Sequence, residues 1–198
     1  MLKKLATCAA QVAALALPSA GFAADAVRMI VPFSAGGPTD LIARIIAPSL
    51  GEKLGKTVVV ENKGGAGGTI GAHLVAEAPP DGNTILLSTS SLILSTGTRS
   101  NLPYDPRTAL KAVYLLGEVQ TMLAVSPKLG VNTLGELIGK AKSSPDGLNY
   151  GSTGVGGTMH VGAELLRKAA DIPLTHVPYR GAAPALVALI AGDVDLVN

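Results

Sequence analysis

Two adjacent glycines, Gly36 and Gly37, stand between an apolar run and a segment that opens with Pro38, Thr39 and Asp40. Proline is favoured in the first turn of a helix, and a threonine or aspartate side chain can cap free N–H groups there. The stretch is therefore typical of a strand, a glycine turn and a helix N-terminus. Such a terminus carries partial positive charge and spare N–H donors, and glycines let a ligand approach the backbone. We expect an anion site here, above all for a carboxylate; an ordinary turn between a strand and a helix is the competing interpretation.

Two further loops have the same small, polar character. Residues 152–158 are rich in glycine and precede a predicted helix, and residues 88–91 are rich in serine and threonine and follow a predicted strand. Ligands of open parallel sheets bind beyond the carboxyl ends of the strands, where all three loops are predicted to lie. If two lobes face each other, the loops converge on one cleft for a small anion; otherwise each loop is only a turn. The candidate binding residues in these two loops are Ser88, Thr89, Ser90, Ser152, Thr153, Gly154 and Thr158.

The titratable residues give further candidates. His160 follows the second glycine loop and could line the cleft, and Arg180 could either reach a ligand carboxylate or form a surface ion pair. Asp40 is expected to cap its helix, with binding of a ligand ammonium group as the alternative. His73 is expected to be a surface or boundary residue of its helix, and His176 is expected to be a hydrogen-bonded structural residue. The histidines lack the spacing of metal ligands, so neither a metal nor another cofactor is expected.

The sequence contains no complete nucleotide-binding or hydrolase motif. Gly65-x-Gly67 is followed by Ile70 where the dinucleotide fingerprint needs glycine, and no phosphate-binding Gly-Lys-Ser/Thr is present. No serine stands in a Gly-x-Ser-x-Gly elbow. An exported α/β hydrolase-like enzyme is an alternative, but it needs a nucleophile paired with a histidine, and no such partner is evident in the sequence. Residues 64–68 are therefore interpreted as a turn that packs a helix against the sheet.

Residues 1–23 are interpreted as a secretory signal peptide. Lys3 and Lys4 precede an apolar run at 5–17, and small residues around Ala23 offer a cleavage site. The single cysteine, Cys8, lies in this segment, so the mature chain has no disulfide, and a periplasmic location is expected. Without the signal, fourteen basic residues balance fourteen acidic ones, and no basic stripe or aromatic platform indicates a nucleic-acid partner.

Strand-like and helix-like patterns alternate along the rest of the 198 residues. The predicted strands are 27–32, 57–61, 84–88, 112–119, 122–126, 148–151, 174–179 and 194–197. The predicted helices are 38–54, 69–78, 133–141, 158–170 and 182–191, and residues 88–100 are expected to form a loop. The initial βαβαβ order indicates a parallel sheet with right-handed crossovers. We expect a first α/β lobe at 24–101 and a second at 102–198.

A series of short motifs, in order along nearly all of the mature chain, resembles one family. The motifs are Val31-Pro32-Phe33, Gly36-Gly37-Pro38-Thr39-Asp40, Val59-Val60-Glu61-Asn62, Gly65-Ala66-Gly67-Gly68, Pro80-Asp81-Gly82, Leu102-Pro103-Tyr104-Asp105-Pro106, Leu148-Asn149-Tyr150-Gly151-Ser152 and His176-Val177-Pro178-Tyr179-Arg180-Gly181. Together they closely resemble the extracytoplasmic solute receptors of tripartite tricarboxylate transporters, the Bug/TctC family. The resemblance implies a two-lobed α/β fold of the periplasmic binding protein type (type II), with parallel-rich sheets flanked by helices.

The resemblance also implies a function and a set of ligand contacts. The receptor would close on a small organic acid (a di- or tricarboxylate, an acidic amino acid or an aromatic acid) and deliver it to membrane transporter subunits, without chemistry on the ligand. The loop after the third strand and the second glycine loop would join the site, as would His160 and Arg180. In the family the first glycine loop and its helix grip a ligand carboxylate, which maps here to Phe33, Ser34, Ala35, Gly36, Gly37, Thr39 and Asp40.

Two features depart from the family pattern. The loop at 152–158 is less serine-rich than expected, which leaves the ligand class at that end open. Family members continue beyond the equivalent of residues 195–198 and return to complete the first lobe, so we expect an incomplete first lobe with exposed apolar surface. A non-functional, truncated fragment of such a receptor is therefore an alternative.

Overall fold

The computed structural model describes residues 26–198 as two sheets with helices packed against them. The predicted signal peptide lies outside the described residues. The strands are β1 (Ala26–Val31), β2 (Thr57–Asn62), β3 (Thr84–Leu86), β4 (Ala124–Val125), β5 (Leu148–Ser152), β6 (Leu174–Pro178) and β7 (Leu196–Val197). The helices are α1 (Pro38–Leu54), α2 (Thr69–Ala76), α3 (Ser91–Thr98), α4 (Leu134–Ser143), α5 (Thr158–Ala170) and α6 (Ala182–Ala191), with 3₁₀ turns at Ala66–Gly68 and Pro127–Leu129. None of these described helices combines the length and the apolar character that crossing a membrane requires.

The first sheet is built around β1, with β2 and β3 parallel to it on either side. Apart from the exposed Arg28, the sequence of β1 is apolar, which predicts burial on both faces; Met29, Ile30 and Val31 are all at most 2% exposed. Because the three strands are parallel, their carboxyl ends share one edge of the sheet. The loops that begin at this edge include the first glycine loop and residues 63–65.

The second sheet has the strand order β4-β7-β5-β6, with β4 antiparallel to β7 and the other neighbours parallel. Tyr150 of β5 and Leu196 of β7 are fully buried and pack with Leu137 of α4 and Ala163 of α5. The carboxyl ends of β5 and β6 lead into the second glycine loop and into residues 179–181. The boundary between lobes that was expected after residue 101 stays a prediction.

The helix boundaries follow local signals in the sequence. α1, α5 and α6 have the predicted bounds. α1 begins with Pro38 and ends at Gly55, whose φ of 64° is the left-handed conformation that glycine adopts easily. Pro48 lies inside α1 and does not end it. Thr133 caps α4, because its Oγ1 accepts the N–H of Glu136.

The predicted loop at 88–100 is wrong in part, because most of it forms α3. Its hydroxyl groups bond to carbonyls in the preceding turn: Ser95 Oγ donates to the Leu92 carbonyl at 2.6 Å, and Thr96 and Thr98 make equivalent bonds. These bonds satisfy the polar side chains within the helix, so a stretch rich in serine and threonine is compatible with helical structure.

The predicted strand at 112–119 is also wrong. Residues 101–123 contain neither helix nor strand, and Val113 and Val119 are 90% and 76% exposed. A strand needs a partner that satisfies its backbone N–H and C=O groups, and no described strand pairs with this segment. An apolar, β-prone composition was therefore insufficient to make a strand here.

Gly71 of α2 lies where this helix touches the end of β1. A Cβ at this position would be 2.8 Å from Pro32 Cβ and 2.9 Å from the carbonyl oxygen of Lys63. We expect Gly71→Ala to lower the free energy of unfolding by about 1–3 kcal/mol, because the surrounding backbone must shift. The matched control is Gly139→Ala in α4, where nothing lies within 4 Å; it should raise stability by about 0.5–1 kcal/mol through helix propensity. Urea unfolding followed by circular dichroism measures both, and equal effects of the two would contradict this packing.

Candidate functional site

Loops from the two sheets meet at glycine residues. A Cβ on Gly64 would be 2.6 Å from the carbonyl oxygen of Arg180. A Cβ on Gly67 would be 2.6 Å from the Val155 carbonyl oxygen, and one on Gly154 would be 2.8 Å from Gly67 N. These distances leave no room for side chains, so backbone packs directly on backbone between the sheets. The sequence indicated only that the loop with Gly64 and Gly67 packs a helix, since glycine spacing does not reveal which distant backbone approaches.

A cavity of about 580 Å³ lies beside these contacts, between the two sheets. Its charged lining residues are Arg99 and Arg180, and no acidic side chain belongs to the lining in the part of the chain that the structure describes. The charge therefore favours an anion. The full lining is Gly64, Gly65, Ala66, Ile70, Arg99, Gly154, Val155, Pro178, Tyr179 and Arg180.

Of the predicted site residues, Gly154 and Arg180 line this cavity. Ser34 lies against the loop after β6, since a Cβ on Gly181 would be 2.6 Å from Ser34 N. The Ser34 Oγ is buried and has no hydrogen-bond partner within residues 26–198. The neighbouring Phe33 is buried and packs in the core of the first sheet.

Asp40 holds the first glycine loop in place. Its carboxylate accepts hydrogen bonds from the Gly36 N–H at 2.9 Å, from Arg44 Nε at 3.0 Å and from Asn62 Nδ2 at 2.9 Å. Burial of this side chain would by itself raise the pKa of Asp40, but the hydrogen bonds from Arg44, Gly36 and Asn62 outweigh burial and hold the pKa below its ordinary value. Asp40 therefore anchors the loop, and its oxygens are already engaged rather than available to a ligand ammonium group.

The rest of the first loop forms the N-terminus of α1. Gly37 is the N-cap residue and makes no side-chain hydrogen bond to the first turn. Ala35 and Gly36 are exposed, and Thr39 is half-buried. Backbone N–H groups of a first turn lack intrahelical partners, so this terminus can receive an anion.

The serine–threonine loop before α3 is bonded to Ser91, the first residue of that helix. Thr89 Oγ1 lies 2.9 Å from Ser91 Oγ and accepts the Ser91 N–H at 3.4 Å. Ser88 is half-buried, and Thr89 and Ser90 are exposed. These three residues do not belong to the cavity lining, so the structure does not bring this loop into the cavity.

Two histidines support the second glycine loop. Ser152 Oγ lies 2.6 Å from His176 Nε2 and accepts the Gly154 N–H at 3.0 Å. His160 Nδ1 accepts the Gly156 N–H at 3.5 Å, and its ring lies edge-on to His176 with 4.6 Å between centroids. The prediction that His176 is a hydrogen-bonded structural residue is confirmed. His160 supports the loop instead of lining the cavity.

The Ser152–His176 pair corrects the expectation that no histidine has a nucleophile partner. It was invisible in the sequence because β5 and β6, neighbours in the second sheet, bring together residues 24 positions apart. The pair has the separation of a nucleophile and its base but lacks access, since Ser152 is fully buried and its Oγ already accepts a backbone N–H. Thr153 is buried as well, and Thr158, at the start of α5, is half-buried.

Tyr150 packs beneath the histidines. Its ring stacks on His176 with 4.9 Å between centroids, and its hydroxyl donates to Glu164 Oε1 at 2.8 Å. Burial lowers the pKa of His176, and the neighbouring His160 lowers it further. Burial also raises the pKa of Tyr150. These shifts favour the uncharged forms of both side chains, as expected of groups that support a loop from inside the fold.

Arg99 is the charged lining residue that the sequence analysis missed. It follows α3 directly, and its Nη2 donates to the Val155 carbonyl at 2.9 Å, across to the second sheet. A signal was present, because Arg99 is the only charged residue between Asp81 and Asp105. No group of three histidine, cysteine or acidic side chains within the described residues is placed to hold a metal ion.

Solved structures share the fold of this chain. The periplasmic binding protein BugD matches with a TM-score of 0.82 and 40% sequence identity, over 87% of this chain and 57% of that chain. MatC (Rpa3494) from Rhodopseudomonas palustris, with bound malate, matches with a TM-score of 0.80 and 35% identity, over 89% of this chain and 60% of that chain. The predicted fold of the periplasmic binding protein type is thereby confirmed.

Sequence comparison identifies the family. Residues 42–198 match the tripartite tricarboxylate transporter family receptor, TctC. A UPF0065 protein of Bordetella pertussis (strain Tohama I) is 40% identical over 197 residues, which are 99% of this chain and 61% of that protein. The chain belongs to the TctC family, as its motifs predicted, and it spans between 57% and 61% of the length of these three relatives. This is a family of receptors and not of enzymes, so the hydrolase-like alternative is set aside.

Protonation of Asp40 should destabilise the first glycine loop. Because its folded pKa lies below the ordinary 3.8, its contribution to stability is present above that pH and is lost as the pH falls through the lowered value. We expect Asp40→Asn to reduce the free energy of unfolding at pH 7 by about 1–3 kcal/mol and to flatten the pH dependence of the melting temperature below about pH 4. The exposed Asp146 provides the control, and Asp146→Asn should change neither. An equally steep acid dependence in Asp40→Asn would argue against this role.

The lowered pKa of His176 makes stability depend on pH just below 6.5. The unfolded chain takes up this proton near the ordinary pKa of 6.5, while the folded chain resists it, so stability falls as the pH drops below about 6.5. We expect a smaller fall in His176→Gln, whose side chain does not titrate, and an unaltered fall in the control His73→Gln. Thermal melts between pH 7.5 and 5 measure this. If the melting temperature of His176→Gln falls as much as that of the unsubstituted protein, another group is responsible for the pH dependence.

Proposed function

We propose that this chain is a periplasmic receptor that captures a small organic acid in the cavity between its two sheets. The observation that carries the proposal is the lining, in which Arg99 and Arg180 stand with glycine backbone and no acidic side chain among the described lining residues. Arginine is well suited to bind a carboxylate, because its planar guanidinium can donate two parallel hydrogen bonds. A volume of about 580 Å³ lies within the usual range of small-molecule sites.

Helix N-termini supply a second attraction for a carboxylate. α1 and α5 each begin after a glycine loop, and the N-cap residues Gly37 and Gly157 make no side-chain capping bond. The spare N–H donors and partial positive charge of such termini favour an anion. We assign direct contacts to Gly154 and Arg180, which line the cavity. Ser34, Gly36 and Thr39 lie outside the lining and would attract the carboxylate from the N-terminus of α1. The remaining predicted site residues would act indirectly: Asp40, Ser152 and His160 hydrogen-bond to the backbone of the two glycine loops and hold them in place.

The proposed ligand class comprises di- and tricarboxylates, acidic amino acids and aromatic acids. A relative with the same fold, MatC, was solved with malate. The apolar part of the lining, which includes Ile70 and Tyr179, would contact the carbon skeleton of such an acid. Binding would involve no covalent step.

Ligand binding would favour the arrangement in which the two lobes, 24–101 and 102–198, are in contact. A ligand held by loops of both sheets stabilises the closed state by its extra contacts there, which is the usual logic of hinge closure. Residues 1–23 would direct export to the periplasm. The closed receptor would then deliver the acid to the large and small membrane subunits of a tripartite tricarboxylate-type transporter.

Binding should appear as a ligand-dependent melting temperature. At about 100 times the dissociation constant, a ligand adds roughly 2.7 kcal/mol to stability, which moves the midpoint of a chain of this size by several degrees. We expect such a shift for the purified full chain with at least one acid from a panel of succinate, malate, glutarate, citrate, aspartate and benzoate. A cooperative melt that none of these acids shifts would contradict the proposal.

Two glycine substitutions test whether binding depends on the contact between the loops. Gly154→Ala introduces a side chain at φ 108°, with Gly67 N only 2.8 Å away, and should weaken binding about tenfold or more because the loops can no longer meet. Gly130→Ala also introduces a side chain at a positive φ, 68°, but nothing lies within 4 Å of its position. It should lower the melting temperature but leave the dissociation constant unaltered. Isothermal titration calorimetry with the acid identified in the panel distinguishes the two variants.

A further inference from the structure

The arginines of this chain divide into two groups. Four of the six form ion pairs with carboxylates at 2.6–3.1 Å: Arg28, Arg44, Arg107 and Arg167. Arg99 and Arg180 have no carboxylate within 4 Å among residues 26–198. These two are also the arginines that line the cavity between the sheets. The charge left without a partner in the protein is therefore concentrated at one place.

Arg99 is only partly used by the protein. One of its five N–H donors reaches the Val155 carbonyl at 2.9 Å. Its Nε is buried and has no hydrogen-bond partner within residues 26–198. Gly156 leaves room beside it, because a Cβ on Gly156 would lie 3.7 Å from Arg99 Nε. A half-buried guanidinium with an unpaired N–H is under-satisfied, and a carboxylate in the adjoining cavity would satisfy it if the side chain turns toward the ligand.

We infer that Arg99 is a specificity-determining residue that binds a second carboxylate of the ligand, with Arg180 contributing to the same positive end of the cavity. The inference rests on the proposed function and narrows it to dicarboxylates and larger polyanions. One carboxylate lies at the helix N-termini and glycine loops, and the other lies at Arg99. Since Arg99 also bonds to Val155 of the second sheet, the same side chain couples recognition of the second charge to contact between the sheets.

The test compares each dicarboxylate with its monoamide, which has nearly the same shape but one negative charge fewer. Isothermal titration calorimetry of the purified full chain with succinate, glutarate and adipate, and with the three monoamides, gives the ratio of dissociation constants within each pair. We expect the unsubstituted protein to bind at least one dicarboxylate ten or more times more tightly than its monoamide. Arg99→Gln should reduce this ratio below about three, mainly by weakening the dicarboxylate, and Arg99→Lys should give an intermediate ratio.

Arg107→Gln is the matched control, because Arg107 is exposed and paired with Asp105 outside the cavity. It should leave the ratio unaltered, and thermal melts establish that every variant is folded. A ratio near one in the unsubstituted protein, or an undiminished ratio in both Arg99 variants, would overturn the inference and leave the proposed function standing. If none of these carboxylates binds, both the inference and the proposed function are overturned.

Discussion

Direct contact between glycine backbones of the two sheets is the constraint on which the rest of the site depends. Gly67 and Gly154 have φ values of 66° and 108°, in the region that side chains disfavour, and each stands where a Cβ would collide with backbone of the other sheet. This contact sets how closely the loops approach. The cavity lies beside this contact. Its dimensions therefore depend on the positions of the glycines as much as on the side chains that line it.

The polar groups around this contact have two different tasks. Asp40 is buried with Arg44, Asn62 and a backbone N–H, and Ser152 is buried with His176; both sets stiffen a loop from the inside. Arg99 and the exposed Arg180 are placed at the cavity instead. A buried carboxylate costs less when charged and neutral donors surround it, so satisfied groups hold the scaffold while unsatisfied charge remains for a ligand. The Ser152–His176 pair shows that a catalytic-looking distance has no catalytic meaning without access to a substrate.

Much of the fold could be predicted from the sequence, because many of its determinants are local. Pro38 and Gly55 mark the ends of α1 through the backbone angles and N–H groups of those residues themselves. The largely apolar sequence of β1 predicts a central strand, and the ordered motifs identify the TctC family. The first glycine loop was likewise recognisable as a helix N-terminus, since its glycines, proline and aspartate are adjacent in the chain.

The tertiary structure decided everything that depends on a distant partner. Residues 112–119 have the composition of a strand but no described backbone to pair with, whereas the serine-rich α3 is helical because its hydroxyls bond within the helix. Neither the contact of Ser152 with His176 nor that of Arg99 with Val155, 56 positions away, has a local signature. By itself, the sequence determined the helix ends, the central strand and the family, since these follow from neighbouring residues. Only the tertiary structure decided which loops meet and which charges remain unpaired, because both depend on which remote backbone lies within a few ångströms.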